Sequence, residues 1–199
     1  EYTDIFCPHY SADLHKIREV MAEHNRVVPV VITEIGGLVH TETYEISPEL
    51  LRQIIKRTYS QFTSQMNNGG LALCKFLLRR IPGVREGWVS EMLDSDYTIR
   101  PEYVAFATLI RLTASGTYSH ELNITSNTSS GWLEGYKVDN DGQAVNIIML
   151  NDAPSARIKL KTPAKKLMLV DVMGVEKTVP VENGELQLDM AEDTPVFVI

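Results

Sequence analysis

Cysteine is scarce: Cys7 and Cys74 are the two in 199 residues, too few and too unpatterned for a disulfide framework or the paired thiols of a zinc site. Both stand inside apolar runs, so both are expected to be small buried residues. The five histidines lack ligand spacing, and no metal or other cofactor is expected. A glycine-rich phosphate loop is also missing, since no G-x-G-x-x-G occurs after the strand-like runs. Lys and Arg do not cluster beyond Arg79-Arg80 and Lys165-Lys166, and the formal net charge is -7. That excludes the basic stripe a nucleic-acid partner requires. No apolar run approaches the roughly 20 residues of a membrane-spanning helix, so no membrane partner is expected either. The chain opens on Glu1 without a signal peptide, which leads us to expect a start within a longer protein and leaves the compartment unread.

What is present is an apolar content of 44%, ordinary for a protein with a packed core, arranged in two halves of different period. In the first, a short apolar run over 4–10 is followed by Leu14, Ile17, Met21 and His24 at helical spacing behind Ser11. The run 27–35 is apolar without alternation, which predicts a strand buried on both faces of a parallel sheet. Ser47-Pro48 is a cap with proline at the first helical position, followed by Leu51, Ile54, Ile55, Tyr59, Phe62 and Met66 on one face. Asn67-Asn68-Gly69-Gly70 ends that helix, 71–78 reads as another buried strand, and Pro101 opens a helix with Tyr103, Phe106, Ala107 and Ile110 on its face. The order βαβαβα predicts a parallel sheet.

The second half shows no helical period. Asp141-Gly142 and Asn183-Gly184 are hairpin signals. Ile158, Leu160 and Thr162 alternate with Arg157, Lys159 and Lys161, as Leu186, Leu188 and Met190 do with Glu185, Gln187 and Asp189. An antiparallel β-sandwich is expected, with 195–199 as its last strand. The expected division is therefore 1–118, α/β, and 119–199, all-β.

Functional groups of parallel α/β folds collect at the C-terminal ends of strands, where loops vary on a rigid scaffold. Two such ends are rich in chemistry: Pro8-His9-Tyr10-Ser11 and Thr33-Glu34-Ile35-Gly36-Gly37. Glu34 closes a run so apolar that its carboxylate needs a hydrogen-bond partner or access to water. Two readings are open, a functional carboxylate and one that simply reaches solvent at a strand end. His40, Glu42 and Tyr44 follow in the next loop, where either a solvated surface or a site lining fits them. Lys75, inside the apolar run 71–78, points to a strand mouth or to snorkelling.

These residues carry a resemblance. The segment 29–37, an apolar strand ending in Thr-Glu-Ile-Gly, resembles strand seven of the large clan of (β/α)8 retaining glycoside hydrolases, whose nucleophile is the Glu of a T-E-x-G-like ending. Glu34 falls on that position. The segment 4–11 resembles strand six, where a His and a nearby Tyr contact the nucleophile or the sugar; His9 matches the histidine, and Tyr10 follows it directly where the clan often spaces the two by a residue. The run 92–106 is similar to the passage joining strand eight to the last barrel helix, with Arg100 in place of the usual Lys. The stretches 165–174 and 192–199 resemble the C-terminal sandwich of families such as 39, 30 and 5. The clan's tryptophan at the end of strand eight has no counterpart in 71–80, so Phe76 or Trp88 would form the sugar floor.

The resemblance implies the C-terminal part of a (β/α)8 barrel, strands six to eight, with an appended sandwich, and a secreted or periplasmic setting. It implies O-glycosyl hydrolysis of an oligo- or polysaccharide by double displacement, with Glu34 as nucleophile and His9, Tyr10, Phe76 and Trp88 binding substrate. The clan takes its acid/base from strand four, which this chain lacks, so the isolated chain is expected to be inactive; were it active, Glu91 would be the acid/base to suspect. A different class of function is a non-catalytic carbohydrate-binding or structural module, with Trp132 and Tyr136 as a stacking pair on one strand face.

Overall fold

The computed structural model describes residues 5–8, 13–35, 39–40, 46–75, 79–80, 88–89, 91–119, 122, 124–127, 132–151, 153–191 and 194–199. The first half contains α1 (Leu14–Glu23), β1 (Val30–Ile35), β2 (Val39–His40), α2 (Pro48–Asn67), β3 (Gly70–Lys75), β4 (Trp88–Val89) and α3 (Pro101–Thr113). β1 pairs with β3 in parallel. On its other side, β1 receives the extended segment 5–8: Phe6 N donates to Pro29 O at 2.9 Å, Val31 N to Phe6 O at 3.0 Å and Thr33 N to Pro8 O at 3.2 Å, with Phe6 bridging Val30 in parallel. Three neighbouring parallel strands thus run with β1 in the middle, as the alternation of strand and helix predicts.

The helix starts follow local chemistry. Ser47 Oγ accepts from Leu50 N at 3.1 Å, Pro48 opens α2, and Asn68 closes it before Gly69 turns left-handed at φ +80°. The first helix is capped differently from expectation: Asp13 accepts from Lys16 N at 3.1 Å, and Ser11 lies outside the described residues. The stripe of α3 is also rotated from the one expected. Ala105, Leu109 and Leu112 are its buried apolar residues, while Tyr103 is 40% exposed, because spacing along one helix admits neighbouring stripes and packing chooses between them.

A larger correction concerns the parallel strands. Val30 and Ile32 are sealed against Leu14, Ile17 and Met21 of α1, but Ile5, Phe6, Val27 and Leu71 are exposed. Helices cover the face that carries Val30 and Ile32, and the opposite face is open at Cys7, Ala72 and Cys74. The exposure of the successive residues Ile5 and Phe6 leaves the outer segment bare on both sides, so the strands are not buried on both faces. Cys7 and Cys74 are exposed for the same reason: an apolar run forecasts burial only if the fold supplies a cover for both sides of the pleat.

The second half contains β5 (Thr117–Ser119), β6 (Ile124–Ser126), β7 (Trp132–Asn140), β8 (Gln143–Asn151), β9 (Ser155–Lys161), β10 (Lys166–Asp171), β11 (Glu176–Pro180), β12 (Glu185–Ala191) and β13 (Val196–Val198). They form two antiparallel sheets, one ordered β11-β10-β13-β8-β7-β5 and the other β12-β9-β6. Asp141 and Gly142, at φ +54° and +84°, make the tight turn between β7 and β8. Asn183-Gly184 is also a turn, with φ of +52° and +75°, but it carries the chain from one sheet to the other, since β11 and β12 belong to different sheets. The C-terminal strand lies inside its sheet, between β10 and β8.

Alternation along β8 divides the interior. Ile148 and Leu150 face Ile158, Leu160, Leu186 and Met190 of the smaller sheet. Val145, Ile147 and Met149 face the other way, into a core shared with Ile55, Tyr59 and Phe62 of α2 and Leu109 and Leu112 of α3. The larger sheet therefore packs on helices with one face and on a second sheet with the other. Polar ties cross the helix–sheet boundary: Glu134 on β7 accepts from Ser60 of α2 at 3.0 Å with both oxygens, and also from Tyr136 Oη at 2.7 Å and Asn151 Nδ2 at 3.3 Å. Tyr59 packs on Phe197 with ring centroids 5.7 Å apart and donates its hydroxyl to Ala105 O at 2.5 Å. The architecture is mixed α/β, with mostly antiparallel sheets. Among the described residues, no helix is long and apolar enough to cross a membrane.

Candidate active site

Glu34 is the penultimate residue of β1, at the C-terminal end of the central parallel strand, and is 7% exposed. Its strand is anchored on both sides. Thr33 donates to Pro8 O with both its backbone N and its Oγ1, each at 3.2 Å. On the far side, the register against β3 slips between Ile32 and Ile35, where three residues of β1 span the two from Leu73 to Lys75. Such an irregularity re-aims side chains at a strand end, and Glu34 lies within it. A carboxylate buried at the edge of a parallel strand, with a neighbouring strand end on each side, is where a reacting group would be placed.

The other predicted site residues stand as follows. His9, directly after Pro8 in sequence, Tyr10, and Phe76, directly after Lys75, lie outside the described residues, as do Glu42 and Tyr44. Trp88 is in β4, and its backbone is paired with that of His40 in β2. His40 therefore belongs to a short strand and not to a plain loop. This two-residue ladder joins the connection after β1 to the connection after β3, on the same edge as Glu34. Tyr136 is 6% exposed, part of the core shared with α2 and α3, and its hydroxyl is spent on Glu134. It does not offer an open stacking face, because its strand alternation turns it toward the helices and not toward water.

A second group of charges, not singled out together from the sequence, lies where β3 ends and α3 begins. Glu91, Arg100 and Glu102 are 4%, 6% and 7% exposed. Arg100 Nη2 donates to Glu102 Oε1 at 3.0 Å, and its Nη1 is 3.9 Å from Glu91 Oε2. Burial pulls the ammonium of Lys75 down to about 8, while the charges of Glu102 and Glu91 hold it up against that effect. Four ionisable groups in one buried cluster are costly unless they compensate one another, and this cluster does so across 27 residues of sequence. Sequence signals existed in Arg100-Pro101-Glu102, where a cation and an anion flank a helix-opening proline, and in Lys75 standing inside an apolar run, but nothing local pointed to their meeting with Glu91. Among the described residues, no group of three His, Cys, Asp or Glu could hold a metal ion.

No protein-family model matches the sequence, and no curated protein matches it. Solved structures do match in fold. A family 39 glycoside hydrolase from the gut symbiont Bacteroides cellulosilyticus superposes with a TM-score of 0.70 at 19% identity, over 99% of this chain and 44% of that one. A family 30 endoxylanase from Clostridium papyrosolvens gives 0.62 at 12% identity, over 98% and 48%. A β-porphyranase of family 86 from the human gut bacterium Bacteroides plebeius gives 0.60 at 14%, over 99% and 41%. The chain thus spans less than half the length of each of these proteins while being itself covered almost completely. It has the fold of one part of a glycoside hydrolase of the kind its strand endings resemble.

Proposed function

We propose that this chain is the C-terminal part of a (β/α)8 glycoside hydrolase, strands six to eight over residues 1–118 followed by a β-sandwich over 119–199, and that it supplies the nucleophile half of a retaining site. The observation that carries this reading is the position of Glu34: buried, at the C-terminal end of the middle of three parallel strands, in a chain matched along 99% of its length by a family 39 enzyme. The open strand face supports it as well, because Cys7, Ala72 and Cys74 are residues that further barrel strands would face.

In double displacement, the Glu34 carboxylate attacks the anomeric carbon while a second carboxyl group, about 5–5.5 Å away, protonates the departing oxygen. The glycosyl ester on Glu34 is then cleaved by water, with the second group acting as base. That second group belongs, on this reading, to a strand upstream of residue 1. His9 and Tyr10 are assigned to holding Glu34 ionised through hydrogen bonds, and Phe76 and Trp88 to the floor under the sugar ring. The substrate is an oligo- or polysaccharide.

The test is hydrolysis of chromogenic β-glycosides by the 199-residue chain and by a polypeptide extended upstream through the remaining strands, each also as Glu34→Gln. Turnover is expected in the extended form alone, with loss by several orders of magnitude in Glu34→Gln, about the scale seen when a covalent nucleophile is removed. An extended enzyme that hydrolyses equally well with Gln at position 34 would remove Glu34 from the mechanism.

A further inference from the structure

Among the described residues, the smaller sheet of the second half ends on β12, and this edge differs from the other sheet edges there. β5 and β6 are three residues long, and β11 is five residues long and closes on Pro180. β12 runs for seven residues, in unbroken antiparallel register with β9 and without a proline or a bulge. Its far side carries a row of backbone N–H and C=O groups that no described strand pairs. Short edge strands, prolines, bulges and inward-pointing charges keep such a row from accepting another strand. β12 has none of them, since its inward residues are Leu186, Leu188 and Met190.

The residues of β12 define what the edge fits. Two strands continue one apolar layer only if the residues placed opposite each other share a face. For β12 against a second β12, antiparallel about a two-fold axis, the pairing is then centred on a single residue. Centred on Gln187, Glu185 stands opposite Asp189 in both halves of the ladder; centred on Asp189, that residue meets its own copy. Like charges directly opposite are destabilising. Centred on Leu188, the whole strand pairs: Leu188 opposes its own copy, Leu186 opposes Met190, Glu185 opposes Ala191, and Gln187 opposes Asp189, whose carboxylate accepts from the Gln187 amide. The charges beside this contact are compensated within each chain, because Arg157 on β9 donates to Asp189 at 2.7 Å and Lys159 lies 3.1 Å from Glu185. The partly buried Leu188 gains an apolar neighbour in the same register.

We propose that β12 is a self-association edge, through which two copies of this chain pair antiparallel over Glu185–Ala191, centred on Leu188, so that two β12-β9-β6 sheets become one continuous sheet. Such a contact is isologous and closes on itself. It is independent of the glycosidase reading, since it uses no residue of the Glu34 strand end.

Position 187 separates the contact from the fold. Within its own chain Gln187 stands opposite Lys159, so Gln187→Glu adds an attractive pair to the monomer while it sets a carboxylate against Asp189 of the second copy. Gln187→Lys does the reverse. The 199-residue chain and both variants are compared by sedimentation equilibrium over a range of concentrations, with thermal melting followed by circular dichroism to show that each is folded. A monomer–dimer equilibrium is expected, with the dissociation constant raised about tenfold by Gln187→Glu, because the substituted pair occurs twice across the two-fold axis, and not raised by Gln187→Lys. Amide hydrogen exchange within Leu186–Met190 is expected to slow as concentration rises. A monomer at every concentration, a dimer equally strong in Gln187→Glu, or equal weakening by both variants would overturn the proposal. So would concentration-dependent protection confined to 5–8 and β3, which would seat the second copy on the open face of the parallel strands.

Discussion

The core shared by the helices and the larger sheet makes a quantitative forecast. Leu109 on α3 and Phe197 on β13 are both fully buried, in one apolar cluster that spans the two halves of the sequence. Truncating a buried leucine to alanine costs about 3 kcal/mol, within a range of roughly 2–5, and phenylalanine to alanine about 4 kcal/mol. For a chain of this length each kcal/mol lowers Tm by about 2–4 °C. Leu109→Ala should therefore lower Tm by about 6–12 °C and Phe197→Ala by about 8–16 °C. If the core is one cooperative unit, each variant moves a single transition, seen at the same temperature by calorimetry and by far-ultraviolet circular dichroism. Two resolved transitions, with Leu109→Ala moving one and Phe197→Ala the other, would refute the reasoning and show that the halves melt independently despite their contact.

Other predictions follow from single features. Glu134→Ala removes the acceptor shared by Ser60, Tyr136 and Asn151 and should cost about 2–3 kcal/mol in chemical denaturation, with Glu134→Gln milder because it keeps one acceptor oxygen. Lys75, held down to about 8 by burial, binds fewer protons folded than unfolded between that value and its ordinary 10.5. Stability of the wild type relative to Lys75→Met should therefore rise with pH across that window and be flat below it; a difference that falls with pH would contradict the assigned burial. Cys7 and Cys74 should both react with a thiol reagent in the native 199-residue chain, since both are exposed, and on the proposed barrel reading should be protected in a polypeptide extended upstream. Unchanged reactivity in that longer form would mean that the open strand face is not the one covered.

Local chemistry was legible in the residues alone. Ser47-Pro48, Asn68-Gly69 and Asp141-Gly142 act within a few residues of themselves, through a cap, a left-handed turn and a hairpin twist, so no distant partner was needed to read them. The strict alternation in β9 and β12 likewise announced one face in and one face out, and both strands follow it. The order of strands and helices, and Glu34 at a strand end, came from the same kind of reading.

Tertiary structure decided what depends on an unspecified neighbour. Cys7, Cys74 and Leu71 lie in apolar runs that predict burial, yet whether a second layer covers that side of the pleat is not encoded by the run itself. Tyr136 has the spacing of a stacking residue, and only the packing of β7 against α2 turns it inward. Lys75, Glu91, Arg100 and Glu102 come together because β3 ends where α3 begins, an encounter between residues up to 27 positions apart. Periodicity and caps are short-range, enforced by sterics and hydrogen bonds within a turn or two, and the sequence determines them by itself; burial and charge compensation arise from surfaces that meet only when the chain is folded.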